Sequence, residues 1–184
     1  LIVAIGRITE QKDPILFLEI YKQLKKEYPF LQAIWVGDGN LRRRMEEFKQ
    51  NHGIEGFFIT GWVNDVRPFI AAANVVVVPS QYESFGYVSA ESLAMERAVA
   101  ATSVNGSIDI IEDGITGYLF LPGDISEGVK KIGNLLVNED IAVEMAKNGR
   151  KKVLNKFTSE LMCYNLEQAY NKALKSTVES REYA

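Results

Sequence analysis

The sequence has a single cysteine, Cys163, and a single histidine, His52, among its 184 residues. One cysteine cannot form an internal disulfide, and one of each cannot supply a typical zinc site or a Cys–His catalytic pair. We therefore expect no metal, a reducing compartment and a surface position for His52 in a polar helix end.

Long apolar runs and an excess of positive charge are also missing. No segment approaches the roughly 18 to 20 apolar residues that span a bilayer, and no signal-peptide pattern is present. The formal net charge of −3 argues against a nucleic-acid partner, and the run Arg42–Arg44 indicates a solvated helix face. The sequence opens on the apolar run LIVAIG without a methionine, so we expect a piece of a longer protein.

Short apolar runs alternate with helical patterns along the whole chain, which predicts an α/β fold. The predicted strands are 1–5, 31–36, 57–60, 75–78, 98–102 and 118–121. The predicted helices are 15–28, 41–51, a short one capped by Asn64 or Asp65, one after Gly86, 126–137, 139–157 and 159–175. Together they indicate one Rossmann-like domain over residues 1–184, a doubly wound parallel sheet of about six strands flanked by helices. We expect the polar tail, residues 175–184, to fray.

Residues 79–103 form the segment with the most informative candidate ligand-binding residues. Glu83 and Glu91 flank a small turn at 84–86, directly after a four-valine strand. Ligands of open α/β sheets bind where such strands end, and turn amides with a helix N-terminus can hold phosphate oxygens. Carboxylates can accept hydrogen bonds from the neighbouring hydroxyls of a ribose. The pattern predicts a sugar-nucleotide site, with a solvated helix glutamate as the alternative for Glu91. Phe85 and Tyr87 either pack or contact ligand.

The end of the first strand carries Gly6 and Arg7, with Lys12 just ahead of a helix. Two cations there can neutralise a diphosphate as it becomes a leaving group, although two solvated surface charges would have the same spacing. The glycine-containing loops 37–39 and 61–63 also follow strands. Either can border a base or serve as an ordinary turn, and the dinucleotide fingerprint is incomplete.

Five segments in unbroken order carry a resemblance to a known family: AIGRITEQKD, WVGDG, ITGWV, VVVVPSQYESFGYVSAESLAM and VNGSIDIIEDGITGYLFLPGD. They resemble the C-terminal, donor-binding domain of group 1 glycosyltransferases, the retaining GT-B enzymes related to glycogen and sucrose-phosphate synthases. The resemblance implies one half of a two-domain enzyme whose acceptor-binding N-terminal domain lies outside this chain. It further implies hexosyl transfer from a UDP- or GDP-sugar to an acceptor sugar or lipid-linked sugar, in polysaccharide or glycolipid biosynthesis. The implied location is cytoplasmic, with peripheral attachment at the inner membrane face left open.

The resemblance also assigns roles to residues of this chain. Arg7 and Lys12 would bind the donor diphosphate, and Glu83 would lie near the transferred sugar as a donor-site carboxylate rather than a nucleophile. These three form the implied catalytic set, and no cofactor or metal is required. The full implied substrate-binding set is Gly6, Arg7, Lys12, Val63 at the nucleobase, Glu83, the backbone of Ser84, Phe85, Gly86, Tyr87 and Val88, and Glu91 at the ribose.

The chain departs from the family pattern at several positions outside that set. Glu96 and Ala98 replace a glycine and a proline, and losing the helix-end glycine costs on the order of 1 kcal/mol. Asn105 and Asp109 replace a glycine and a glutamate, and we expect Asn105 to keep a left-handed turn. The sequence leaves two alternatives to a glycosyltransferase open. One is a non-catalytic nucleotide-sugar-binding module, and the other is a GT-B epimerase or phosphorylase.

Overall fold

A computed structural model describes residues 1–182 of the chain, with side chains through residue 174. Its centre is a six-stranded parallel sheet with the spatial order β3-β2-β1-β4-β5-β6. The strands are β1 Ile2–Ile5, β2 Ala33–Val36, β3 Phe57–Ile59, β4 Val75–Val78, β5 Ala98–Thr102 and β6 Tyr118–Phe120. This arrangement confirms the predicted Rossmann-like, doubly wound sheet. The direction of winding reverses between β1 and β4, which is where open α/β sheets bind ligands.

Helices cover both faces of this sheet. Their bounds are α1 Pro14–Glu27, α2 Arg42–Asn51, α3 Arg67–Ala72, α4 Tyr87–Ala94, α5 Asn105–Ile110, α6 Ile125–Val137, α7 Glu139–Lys156 and α8 Ser159–Glu182. The sequence did not predict α5, and the left-handed turn expected at Asn105 is wrong, because Asn105 begins that helix. The backbone of α8 continues past its predicted end at 175. The side chains of the predicted frayed tail, and its last two residues altogether, lie outside the described residues.

The core forms two layers because every central strand is buried on both sides. Val75 and Val77 of β4 face one layer, and Val76 and Val78 face the other. Burial on both faces explains why these strands are continuous apolar runs rather than alternating patterns. Trp35 is 1% exposed, which confirms its predicted core position.

Local signals set the start of α1 as the sequence predicts. Asp13 caps the helix, and its Oδ1 accepts a hydrogen bond from the Leu16 amide at 3.0 Å. Pro14 occupies the first helical position, where its missing N–H has no partner to lose. The chain segment Glu10–Lys12, a short 3₁₀ turn, is thereby held between the end of β1 and α1.

Two further expectations concern the surface. Arg43 is 89% exposed and pairs with Glu47 at 2.7 Å along α2, which confirms that the arginine run is a solvated helix face. His52 is exposed at the end of α2, and its ring stacks on Phe48 with centroids 4.1 Å apart. Both features are ordinary surface packing.

Helix α4 ends in a tight reversal that bears on the predicted departure at Glu96. The Arg97 amide donates to the Ser92 carbonyl at 2.9 Å, and the Glu96 amide donates to Leu93 at 3.0 Å. This pair of bonds requires a left-handed residue, and Glu96 has φ of 53°. The structure therefore confirms that Glu96 occupies the position where glycine is favoured.

Candidate functional site

Glycines bring the strand ends together along one rim of the sheet. A Cβ atom on Gly37 would lie 2.1 Å from the Gly6 carbonyl oxygen, so this contact requires glycine. Trp35 Nε1 donates to that same oxygen at 2.9 Å, and Gly37 bridges to Gly61. The loops after β1, β2 and β3 are consequently held against one another along this rim.

Lys12 and Glu83 form an ion pair across the point where the winding reverses. Lys12 Nζ donates to Glu83 Oε1, and the two side chains are only 19% and 9% exposed. The lysine lies over Gly6, since a Cβ atom at Gly6 would be 3.4 Å from Lys12 Cε. Two residues from the ends of β1 and β4 thus meet where the sequence predicted a common site.

The two oxygens of the Glu83 carboxylate differ in their surroundings. Oε1 accepts from Lys12 and also from Ser80 Oγ at 2.7 Å. Oε2 accepts no hydrogen bond from the described residues, yet it is not among their fully buried, unpartnered side-chain atoms. Oε2 therefore keeps contact with solvent, and it is the oxygen available to a ligand.

Hydrogen bonds fasten the loop after β4 to the loop after β1. The Gln81 amide donates to the Gln11 carbonyl at 2.8 Å, and Gln11 Nε2 donates to the Tyr82 carbonyl at 3.2 Å. The Gln81 side chain donates to Asp13 Oδ2, on the residue that caps α1. These contacts fix the relative position of Lys12 and Glu83.

The turn before α4 depends on close backbone packing. Gly86 has φ of 94°, and a Cβ atom on Gly106 would lie 2.7 Å from the Phe85 amide nitrogen. The Gly106 amide donates to the Glu83 carbonyl at 3.0 Å. No side chain of the described residues caps α4, so none of them competes with an anion for the first-turn amides.

Of the two aromatic residues at this turn, Phe85 packs and Tyr87 faces solvent. The Phe85 ring lies 5.6 Å from the Phe157 ring and 4.9 Å from the Tyr87 ring, measured between centroids. Tyr87 is 71% exposed. The packing alternative for Phe85 is therefore confirmed.

The other predicted site residues are less closely joined. Arg7 is exposed after β1, Glu91 is exposed on α4, and neither forms an ion pair with a described residue. Partial burial of the Glu91 carboxylate raises its pKa. Val63 is half-buried and packs against the second core layer. The roles assigned to these three stay predictions.

Five surface cavities of the described part of the chain lie away from these residues. Their volumes are about 200 to 570 Å³, and none of the five is lined by Arg7, Lys12, Glu83 or Glu91. The candidate site in this chain is defined by its residues along the sheet rim.

Neither a metal-binding cluster nor a membrane-spanning helix occurs among the described residues, 1–182. No three His, Cys, Asp or Glu side chains in this range are grouped to hold a metal ion. No helix in it combines the length and apolarity needed to cross a bilayer.

Sequence reasoning missed the residues that support Glu83. Ser80 and Thr102 are fully buried, and Gly106 holds the Glu83 backbone. A serine before a turn and a glycine after a strand are common signals, so neither pointed to this role. Only the long-range contacts distinguish them.

Comparison with known proteins gives a consistent result. The family model for group 1 glycosyl transferases matches residues 1–152. The capsular polysaccharide biosynthesis glycosyltransferase CapM of Staphylococcus aureus is 30% identical over 178 residues, 94% of this chain and 46% of CapM. A TarM mutant from S. aureus, solved with fondaparinux, α-GlcNAc-glycerol and UDP, is 25% identical with a TM-score of 0.87, covering 92% of this chain and 35% of TarM.

A single-domain structure matches at nearly full length. The C-terminal domain of the group 1 family protein LpcC from Francisella tularensis is 25% identical, with a TM-score of 0.78 and 86% of each chain covered. By contrast, this chain spans less than half the length of the first curated relatives it matches.

Proposed function

Because this chain belongs to the group 1 glycosyl transferases, we propose that it is the donor-binding half of a retaining GT-B glycosyltransferase. The whole enzyme would move a hexosyl group from a UDP- or GDP-sugar to an acceptor hydroxyl held by a separate N-terminal domain. The Lys12–Glu83 pair at the winding reversal carries this proposal. It joins a cation for a diphosphate with an acceptor for sugar hydroxyls at the place where such folds bind nucleotides.

Each part of the rim has a role in this scheme. Lys12 and Arg7 stabilise the negative charge that develops as the nucleoside diphosphate leaves, and the first-turn amides of α4 hold phosphate oxygens. Glu83 Oε2 accepts from a hydroxyl of the transferred sugar, and Glu91 accepts from the ribose. The backbone at Val63 borders the base. This chemistry draws on fixed cations and amides, and it calls for no metal or cofactor.

The relatives favour one donor class and one biological setting. TarM was solved with UDP, so a uridine diphosphate sugar is the first donor to test. CapM is named for capsular polysaccharide biosynthesis, which supports an acceptor sugar or a lipid-linked sugar. Such a reaction would take place in the cytoplasm, with the complete enzyme attached peripherally to the inner membrane face.

Calorimetry on the full-length protein tests the proposal directly. We expect UDP or GDP to bind, and Arg7→Ala to weaken that binding at least about 10-fold, since a charge-assisted hydrogen bond contributes about 1.5 to 3 kcal/mol. Arg43→Ala is a matched control because this arginine is exposed on α2 and pairs only locally with Glu47. Its nucleotide affinity should equal that of the wild type. Absence of UDP and GDP binding at millimolar concentration would overturn the proposal.

A further inference from the structure

A chain of buried hydroxyl groups runs from β5 to the Glu83 carboxylate. Thr102, the last residue of β5, donates from Oγ1 to the Ser80 carbonyl at 2.5 Å and lies 3.3 Å from the Val78 carbonyl. Ser80 in turn donates from Oγ to Glu83 Oε1 at 2.7 Å. Thr102 and Ser80 are both fully buried. The position of Glu83 is therefore tied to the interior of the sheet.

The two side chains that bind Oε1 differ in stiffness and in their other duties. Lys12 has a long, flexible stem, and in the proposed reaction its ammonium group also binds the donor diphosphate. Ser80 has one rotatable side-chain bond, is enclosed by protein and can make no contact with ligand. When the diphosphate draws Lys12 towards itself, the bond from Ser80 remains to orient Glu83.

We propose that Ser80 is a positioning residue for donor-sugar recognition. By donating to Oε1, it holds the Glu83 carboxylate so that Oε2 faces the hydroxyl groups of the transferred sugar. This inference rests on the proposed function and adds a residue to it that acts only through Glu83. Ser80 should then affect recognition of the sugar and leave recognition of the nucleotide unchanged.

The test compares the affinities of full-length variants for UDP and UDP-glucose, with GDP and GDP-mannose as a second pair. The comparison then uses the pair whose nucleotide sugar binds more weakly to Glu83→Gln than to the wild type. We expect Ser80→Ala to weaken the affinity for the sugar-linked nucleotide about 3- to 10-fold, less than the loss of a direct hydrogen bond to a charged group because Ser80 acts through Glu83, and to leave the affinity for the free nucleotide unchanged. In the Glu83→Gln background, Ser80→Ala should have a much smaller effect, because the charged carboxylate through which Ser80 acts has already been replaced by a neutral amide.

Ser92→Ala is the matched control. Ser92 is also fully buried, and its Oγ donates to the Val88 carbonyl at 2.6 Å, so the same atoms and one hydrogen bond are deleted without touching Glu83. Both affinities should stay at the wild-type value. If Ser80→Ala prevents folding, Ser80→Cys replaces it, since a thiol is a weaker donor of similar size and should give a smaller loss of the same kind.

The outcomes separate this inference from the proposed function. In one outcome, Ser80→Ala lowers the affinities for free and sugar-linked nucleotide equally, and in another its effect is undiminished in the Glu83→Gln background. Either result would show a general structural role for Ser80 and overturn this inference alone. The inference also fails if Glu83→Gln weakens neither sugar-linked nucleotide. Failure of every nucleotide to bind the wild type would instead overturn the proposed function.

Discussion

The two ends of helix α4 share a left-handed backbone conformation but carry different residues, a glycine at the start and a glutamate at the end. At its start Gly86 has φ of 94°, and at its end Glu96 has φ of 53°. Both values lie in the region that favours glycine. The start lies beside Glu83 on the proposed ligand rim, whereas the end leads into β5 at the opposite edge of the sheet.

The two ends share a left-handed torsion and differ in the space around the residue. A Cβ atom on Gly86 would lie 3.3 Å from the Gly106 carbonyl oxygen, against backbone that cannot move aside easily. Glu96 is exposed, and its carboxylate lies 3.7 Å from Arg150 Nε at the surface. A side chain is therefore tolerated where only the torsion is unfavourable, and it is absent where the neighbouring backbone would also be displaced.

Among the substitutions that test this comparison, Gly106→Ala should change the stability of the fold most. The added Cβ would lie 2.7 Å from backbone atoms of Phe85, so we expect about 2 to 3 kcal/mol of destabilisation, as for overpacked cores. Gly114→Ala is the control because Gly114 has φ of 77° and open space around it, and torsion alone should cost about 1 kcal/mol. Urea denaturation measures both. Equal losses in the two variants would show that close packing at α4 is not the dominant constraint.

Glu96→Gly should have a smaller effect of the opposite sign. Removing the side chain from a left-handed position should stabilise the fold by about 0.5 to 1 kcal/mol. The lost contact with Arg150 is exposed and contributes little. Glu96→Ala separates torsion from charge, because it removes the carboxylate and keeps the Cβ atom. An equal gain in the alanine variant would contradict the explanation by backbone torsion.

Glu91→Gln, between the two ends, should change stability least. Burial raises the Glu91 pKa above its ordinary value of 4.5, so the native state binds more protons than the unfolded state as the pH rises through that range. Stability then falls with rising pH above about 4.5, and Gln removes this slope. The side chain is largely exposed, so we expect a gain below about 0.5 kcal/mol at pH 7. Thermal unfolding at pH 4 and pH 7 measures the slope.

The same variant should weaken UDP about 10-fold if Glu91 accepts from the ribose. Ligand affinity and fold stability would then move in opposite directions. Unchanged UDP affinity would support the alternative interpretation, in which Glu91 is a solvated helix glutamate.

The sequence predicted the sheet well because burial on both faces leaves a plain signal, as in the valines of β4. It also placed Lys12 and Glu83 at one rim, since parallel strands end together. It missed α5 because Asn105, Gly106 and Ser107 are weak helix formers in a segment of six residues. That helix depends on tertiary contacts, with Ile110 fully buried and Gly106 against Phe85.

The finer organisation of the site could not be predicted for a related reason. Lys12 and Glu83 are 71 positions apart, and shared topology is enough to bring them close. Which oxygen each partner binds depends on side-chain packing between loops, which no local pattern records. Ser80 and Thr102 therefore read as ordinary polar residues at strand ends.

Glu83 already neutralises the ammonium group of Lys12, one of the two cations that a donor would need. An incoming anion must draw Lys12 away from Glu83, and inorganic phosphate brings no sugar hydroxyl groups to the carboxylate that is left without its cation. A glycosylated nucleotide brings hydroxyl groups that give the released carboxylate a new partner. Competition by inorganic phosphate against a nucleotide sugar should consequently be weak, and selectivity for the intact donor would begin in the resting state.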